Sequence, residues 1–254
     1  MILRACFLLL GCAVMCWVAP VFAQPQRVEI LVDQSYPPYT YVRQGTLQGD
    51  YVALVQSAAK SLTDYEVVLK PMPWKRALQQ LEQGAAFAIL PPYKHLEKRP
   101  FIDIYSLPLE QETVVALCHN DTDLPSALAG KAGPAVNIGV NAGYLIFDHA
   151  VRAAQQRGDV RVWRNANTRS NLFKLLKQRI ECYVNDRRSS EYELELIVQR
   201  QPELAIKAKN LTVQHVLMTR SAHIGYARDE RGNYPFKYDF IAKMDAALAE
   251  LINH

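Results

Sequence analysis

Apolar and polar positions along the chain switch between two periods. Val28 to Val32 reads as a strand, followed by a loop rich in Tyr and Pro (Tyr36, Pro37, Pro38, Tyr39). The spacing then turns helical: Tyr51, Leu54, Val55, Ala58 and Leu62 fall on one face and predict a helix over 51–62. Tyr65 to Leu69 predicts the next strand. Pro73-Trp74 opens a short amphipathic helix with Ala77, Leu78 and Leu81 on one side, and Gly84 stops it as a C-terminal cap. Ala86 to Leu90 suits a buried strand, ended by Pro91-Pro92. A charged stretch (Lys94, His95, Glu97, Lys98, Arg99) follows, and Phe101-Ile102-Asp103 leads toward Pro108-Leu109. Strand, helix, strand, helix, strand predicts a parallel sheet.

A second set begins after Leu109. Thr113 to Leu117 and Val136 to Val140 read as strands, and Asn141-Ala142-Gly143-Tyr144 reads as a turn opening a helix. Ile146, Phe147, Ala150, Val151 and Ala154 stripe that helix, which ends near Gly158. Val160 to Trp163 is a strand, Leu172 to Leu176 lies in a helix, and Ile180 to Val184 is another strand. The chain then returns through Thr212 to Met218 and Ile224 to Ala227. A closing helix carries Phe236, Phe240, Ile241, Met244, Leu248 and Leu251 on one side.

The amino terminus has a different character. Met1 to Ala23 has one positive charge at Arg4, an apolar run from Ala5 to Val18, and Val21-Phe22-Ala23 before Gln24. This is the pattern of a secretory signal peptide cleaved after Ala23. The run is short for a bilayer span of ~20 residues, and Pro20 closes it. Cleavage leaves 231 residues (254 minus 23) and lowers the net charge from +4 to +3, since only Arg4 is lost. Half the residues are hydrophobic, enough for a sizeable core. Lys and Arg are interleaved with Asp and Glu, an ordinary solvated surface and not the concentrated basic face of a nucleic-acid binder. Cys6, Cys12 and Cys16 leave with the signal. Cys118 and Cys182 remain at predicted strands, where an oxidising compartment invites a disulfide; the alternative is two separate buried thiols.

The ordered series over Met72 to Leu109 resembles the first lobe of periplasmic amino-acid-type solute-binding proteins, the family 3 proteins that feed ABC importers. It comprises a helix ending in Gly, an apolar strand, a glutamate-arginine pair, a hydrophobic-aspartate turn and a proline before the crossover. The resemblance implies a bilobal α/β fold of the type II periplasmic-binding-protein class, with two lobes joined by two crossover strands. Residues 24–112 and 215–254 would form lobe 1 and residues 113–214 lobe 2. It also implies a periplasmic monomer with an inner-membrane ABC permease as partner and no nucleic acid.

Ligand positions follow residue by residue from the resemblance. Asp33 and Tyr36 fill the aspartate and aromatic places after the first strand, where a carboxylate pairs with an ammonium group and a ring shields the ligand. Trp74 matches a second aromatic wall, and Tyr93 stands where the family often has Thr. Asn141 and Tyr144 belong to the second-lobe turn, whose helix amino terminus would seat a carboxylate. Asp186 matches the aspartate that takes the ligand's α-amino group; its other reading is a helix N-cap before Arg187, and the two coexist. Arg76 and Arg99 are further candidates. Counting back from Asp103, the position of the family's carboxylate-gripping Arg holds Lys98, which cannot form the planar fork. Either Lys98 receives the carboxylate, Arg99 takes over through a one-residue shift, or the ligand has no α-carboxylate.

Two carboxylates, a cation and aromatic walls suit a small zwitterion or an amine. The chain lacks a Gly-x-Ser-x-Gly elbow, a phosphate-cradling Gly-rich loop and a His-Glu-x-x-His motif, and its six histidines show no metal-ligand spacing. No cofactor or metal is expected. A binder, not an enzyme, is the reading. An exported dehydratase-like lyase of the same fold, or a protein presenting its ligand to a membrane receptor, are the alternatives.

Overall fold

The computed structural model describes residues 24–252. The expected signal peptide, residues 1–23, lies outside the described residues. The first part of the chain gives β1 (Gln26–Asp33), β2 (Ser35–Tyr36), β3 (Thr40–Arg43), β4 (Thr46–Gln48), α1 (Asp50–Ala59), β5 (Tyr65–Met72), α2 (Trp74–Glu82), β6 (Ala88–Leu90) and β7 (Ile102–Tyr105). The second gives β8 (Gln111–His119), α3 (Leu124–Leu128), β9 (Val136–Asn141), α4 (His149–Arg157), β10 (Val160–Asn165), α5 (Thr168–Leu176), β11 (Cys182–Asp186) and α6 (Arg187–Arg200). A 3-10 turn (Pro202–Leu204), α7 (Ala205–Lys209), β12 (Leu211–Ser221), β13 (Gly225–Ala227) and α8 (Lys237–Ile252) complete it.

Two mixed sheets organise two lobes. One has the order β5-β1-β6-β13-β7, with β1 parallel to β5 and β6 and β13 antiparallel to its neighbours. The other has the order β10-β9-β11-β8-β12, with β8 antiparallel to β11 and β12. Each central strand is buried on both faces: Ile30, Leu31 and Val32 in β1, Val114 to Cys118 in β8. That is why these strands read as continuous apolar runs. The chain passes between the sheets after β7 and again after β12. Because β12 stays paired with β8 as far as Ser221↔Gln111, the second sheet takes in residues 111–221. The return crossover therefore lies after Ser221, later than the boundary at 214/215 read from the sequence.

Local chemistry explains most ends. Gly84 (φ +70) closes α2, with its N–H on the Leu81 carbonyl, and Gly158 (φ 88) caps α4 in the left-handed region. The expected helix opening at Asn141-Ala142-Gly143-Tyr144 is a loop instead. α4 begins at His149, where the Asp148 carboxylate caps the Val151 N–H at 2.9 Å, a stronger start signal than the apolar stripe upstream. The sequence reading also passed over α6, whose outer face is dominated by charge, and the small β2-β3-β4 sheet. Within the first lobe, Lys237 at the start of α8 is 2% exposed and reaches Asp103 at 2.7 Å and the Ala227 carbonyl at 2.7 Å, tying the closing helix to β7 and β13. In the second lobe, Cys118 and Cys182 sit directly opposite on β8 and β11 and are joined as a disulfide.

Candidate functional site

β1 delivers Asp33 to the seam between the lobes. The carboxylate is 3% exposed; it accepts the Ser35 N–H at 2.9 Å and the Tyr144 hydroxyl, from the second lobe, at 3.2 Å. Burial pushes its pKa up to about 7, outweighing both hydrogen bonds. Beside it, Tyr36 meets Tyr144 edge to face at 5.8 Å, and Trp74, the first residue of α2, meets Tyr144 the same way at 6.3 Å. The Trp74 Nε1 donor is buried with no hydrogen-bond partner.

Arg99 completes this wall. It is 4% exposed, its guanidinium lies 5.4 Å from the Trp74 ring, and it donates to the Gly143 carbonyl at 2.9 Å. Gly143 has φ +89, and a Cβ there would lie 3.2 Å from both Trp74 and Leu78, so only glycine lets this loop approach so closely. Among the described residues no carboxylate lies within ion-pair distance of Arg99. Burial lowers its pKa to about 10, which leaves it charged at neutral pH. Asp33, Tyr36, Trp74, Tyr93, Arg99 and Tyr144 line one cavity, together with Pro91, His95, Leu145 and Ile146. Its volume is about 30 Å³, as space open to the centre of a water-sized sphere, which is room for about two waters.

Behind the wall lies a group the sequence reading missed. Glu112 on β8 is 1% exposed and accepts the hydroxyls of Tyr36, of Tyr93 at 2.5 Å and of Tyr51 at 2.7 Å. Two of these rings face the cavity, so Glu112 fixes their position across the lobe seam. Burial and then the nearby Asp186 charge push its pKa up to about 8, against the three hydroxyl donors. The signal was available: Glu112 shares a face of β8 with Val114, Ala116 and Cys118, so period-two alternation places it inside. The aromatic stack of Tyr39 on Tyr51 (4.7 Å) supports the same cluster.

Other expected residues lie elsewhere. Lys98 is exposed and does not line the cavity; its neighbour Arg99 turns inward in its place, because the 94–99 loop carries one more residue before the inward position than the counting assumed. Arg76 is exposed on α2. Asn141 is buried but engaged with Asn171 (2.9 Å), Tyr183 (3.1 Å) and Thr168 (3.3 Å). Asp186 is 2% exposed and caps α6, accepting from Ser189 N–H (2.7 Å), Tyr39 hydroxyl (3.1 Å) and Thr113 N–H (3.2 Å) without reaching the cavity. Among the described residues no cluster of three or more metal-ligating side chains occurs, and no helix is long and apolar enough to cross a membrane.

Comparison with known proteins agrees with this architecture. Residues 28–254 match the profile of bacterial extracellular solute-binding proteins, family 3. No match is found among curated protein sequences. Among solved structures, the arginine-, lysine-, histidine-binding protein ArtJ from Geobacillus stearothermophilus is similar with a TM-score of 0.66 at 20% identity, covering 90% of each chain. A mutant of arginine-bound ArgBP from T. maritima gives 0.65 at 16% identity, over 89% of this chain and 95% of that one. A histidine kinase sensor domain with similarity to periplasmic binding proteins gives 0.68 at 16%, over 89% and 90%. At these identities the likeness is one of fold.

Proposed function

We propose, for a chain that belongs to the bacterial extracellular solute-binding proteins of family 3, that it captures a small amino acid or related amine between its lobes and delivers it to an inner-membrane ABC permease. In this reading the chain is exported to the periplasm after cleavage behind Ala23 and works as a monomer. One observation carries it: Arg99 and Asp33 are buried on the walls of the same cavity, and Arg99 has no carboxylate partner among the described residues. An unpaired buried cation is costly unless something supplies the opposite charge. A ligand carboxylate beside Arg99 and a ligand ammonium beside Asp33 would neutralise both. Tyr36, Trp74, Tyr93 and Tyr144 then provide the apolar sides, and Trp74 Nε1 offers a free donor.

A thermal-shift screen of the mature protein against amino acids, polyamines and small carboxylates tests the reading, since a ligand specific to the folded state raises Tm by mass action. A clear shift with one zwitterionic class is expected, with affinity falling by about 2–5 kcal/mol in Arg99→Met. A shift with no α-amino compound would overturn it. The lyase alternative draws on one specific feature: a carboxyl held near pH 7 in a cavity, as Asp33 is, has the acidity of a general acid. Consumption of the bound compound, followed by NMR, would favour that alternative, as binding without turnover favours capture.

A further inference from the structure

The cavity shares a wall with a much larger surface groove. His95 and Leu145 line both. The groove, about 610 Å³ in the same measure, runs between the loop after β6, the start of α4 and the end of β12. Its apolar lining is Leu96, Phe147, Leu217 and Met218. Its rim carries four cations, Lys94, Lys98, Arg152 and Arg220, against two carboxylates, Glu97 and Asp148. Asp148 is already used, capping α4 and bonding His215 at 2.7 Å. None of the four cations lies in an ion pair among the described residues. The net field of the groove is therefore positive.

The cavity alone is too small for its expected occupant. Space for about two waters does not take even the heavy atoms of glycine, so a head group seats there only as Tyr144 gives up its hydrogen bond to Asp33. Anything longer must extend beyond it, and the groove adjoins it at His95 and Leu145. At that shared edge the His95 Nε2 is buried and unpartnered, while burial and the flanking Arg99, Arg220 and Lys98 keep the ring neutral, with a pKa of about 4. A neutral ring and a leucine make a passage without an anionic barrier.

Resting on the capture reading above, we propose that the ligand is extended: a zwitterionic head between Asp33 and Arg99, and a tail that passes His95 and Leu145 and ends in an anion among Lys94, Lys98, Arg152 and Arg220. Its class is an α-amino acid whose side chain is lengthened, for instance through an amide link, to a terminal carboxylate or phosphate. The shared wall is what favours a ligand tail over an independent acidic partner.

Calorimetric titration of the mature protein with γ-glutamylglutamate and with glutamine, which has the same head and no anionic tail, tests this. The dipeptide is expected to bind about tenfold tighter or better, and Lys98→Glu with Arg220→Glu to remove that gain while moving glutamine by less than about twofold. Equal affinity for both compounds, insensitive to the charge reversals, would end the ligand inside the cavity; the extension fails and the capture reading stands. Dipeptide binding that survives Arg99→Met but not the charge reversals would make the groove a separate anion site, which also overturns the extension. If neither compound binds, the extension falls, and the amino-acid screen alone decides whether capture falls with it.

Discussion

Asp33 and Asp186 end strands β1 and β11, one in each lobe, and both are almost fully buried at the lobe seam. Their surroundings differ. Asp186 holds two backbone N–H groups and a tyrosine hydroxyl, caps a 14-residue helix, and has no oxygen turned to the cavity. Asp33 holds one backbone N–H and a tyrosine hydroxyl that comes from the opposite lobe, and it lines the cavity. Burial raises both pKa values, but only at Asp33 is the raised group open to exchange its partner for a ligand. On the capture reading, donor count, more than burial, is what would separate a structural carboxylate from a binding one here.

The sharpest way to break that comparison is to delete each carboxylate. Asp186→Ala leaves the Thr113 and Ser189 N–H groups and the Tyr39 hydroxyl without an acceptor, and removes the α6 cap. A loss of about 3 kcal/mol in urea denaturation is expected. Asp33→Ala strands fewer donors and should cost clearly less. If the two losses are equal, or reversed, the division of duties is wrong.

Next in size is binding. Asp33→Asn keeps the shape and removes the charge, so affinity for an ammonium-bearing ligand is expected to fall by about 10- to 100-fold while the unliganded protein keeps or gains stability. Asp186→Asn should leave affinity within about threefold, since Asn also caps helices well. Titration calorimetry on both variants reads this directly. A large loss in Asp186→Asn with Asp33→Asn unaffected would restore the family-based expectation that Asp186 meets the ligand.

How far the sequence foretold this differs between elements for physical reasons. The central strands were legible because burial on both faces leaves continuous apolar runs, and α2 because Pro73 and Gly84 punctuate it at both ends. The α4 start was misplaced because Ile146 and Phe147 are buried in a loop that only imitates a helical stripe. Aromatic residues of the cavity were found by their place after strand ends. Arg99 and Lys98 could not be told apart by counting, since one residue of loop length exchanges an inward side chain for an outward one. Glu112 went unread for another reason: a buried acid is sustained by Tyr36, Tyr51 and Tyr93, which lie 19 to 76 positions away, and no local pattern announces such distant donors.

The dependence on pH, small at each step of a titration though not when summed, sharpens the comparison by a different route. Asp33 and Glu112 are raised to about 7 and about 8 in the folded protein, so near pH 6 both are largely protonated there and ionised in the unfolded chain. The folded state then binds more protons, and the contribution is complete below the ordinary carboxylate range and lost as pH rises through 7 and 8. Stability should therefore fall between pH 5 and 8, the reverse of the usual behaviour of paired carboxylates, by up to about 1 kcal/mol per pH unit for each group. Asp33→Asn and Glu112→Gln should each flatten the profile, whereas Asp186→Asn, whose carboxyl is raised by burial against three opposing donors, should flatten it least. A cationic head beside Asp33 favours the ionised carboxylate, so binding should release a proton near pH 6, visible as a buffer-dependent heat. If stability instead rises from pH 5 to 8, both acids are ionised in the folded protein, and the cavity presents a fixed negative charge in place of an exchangeable proton.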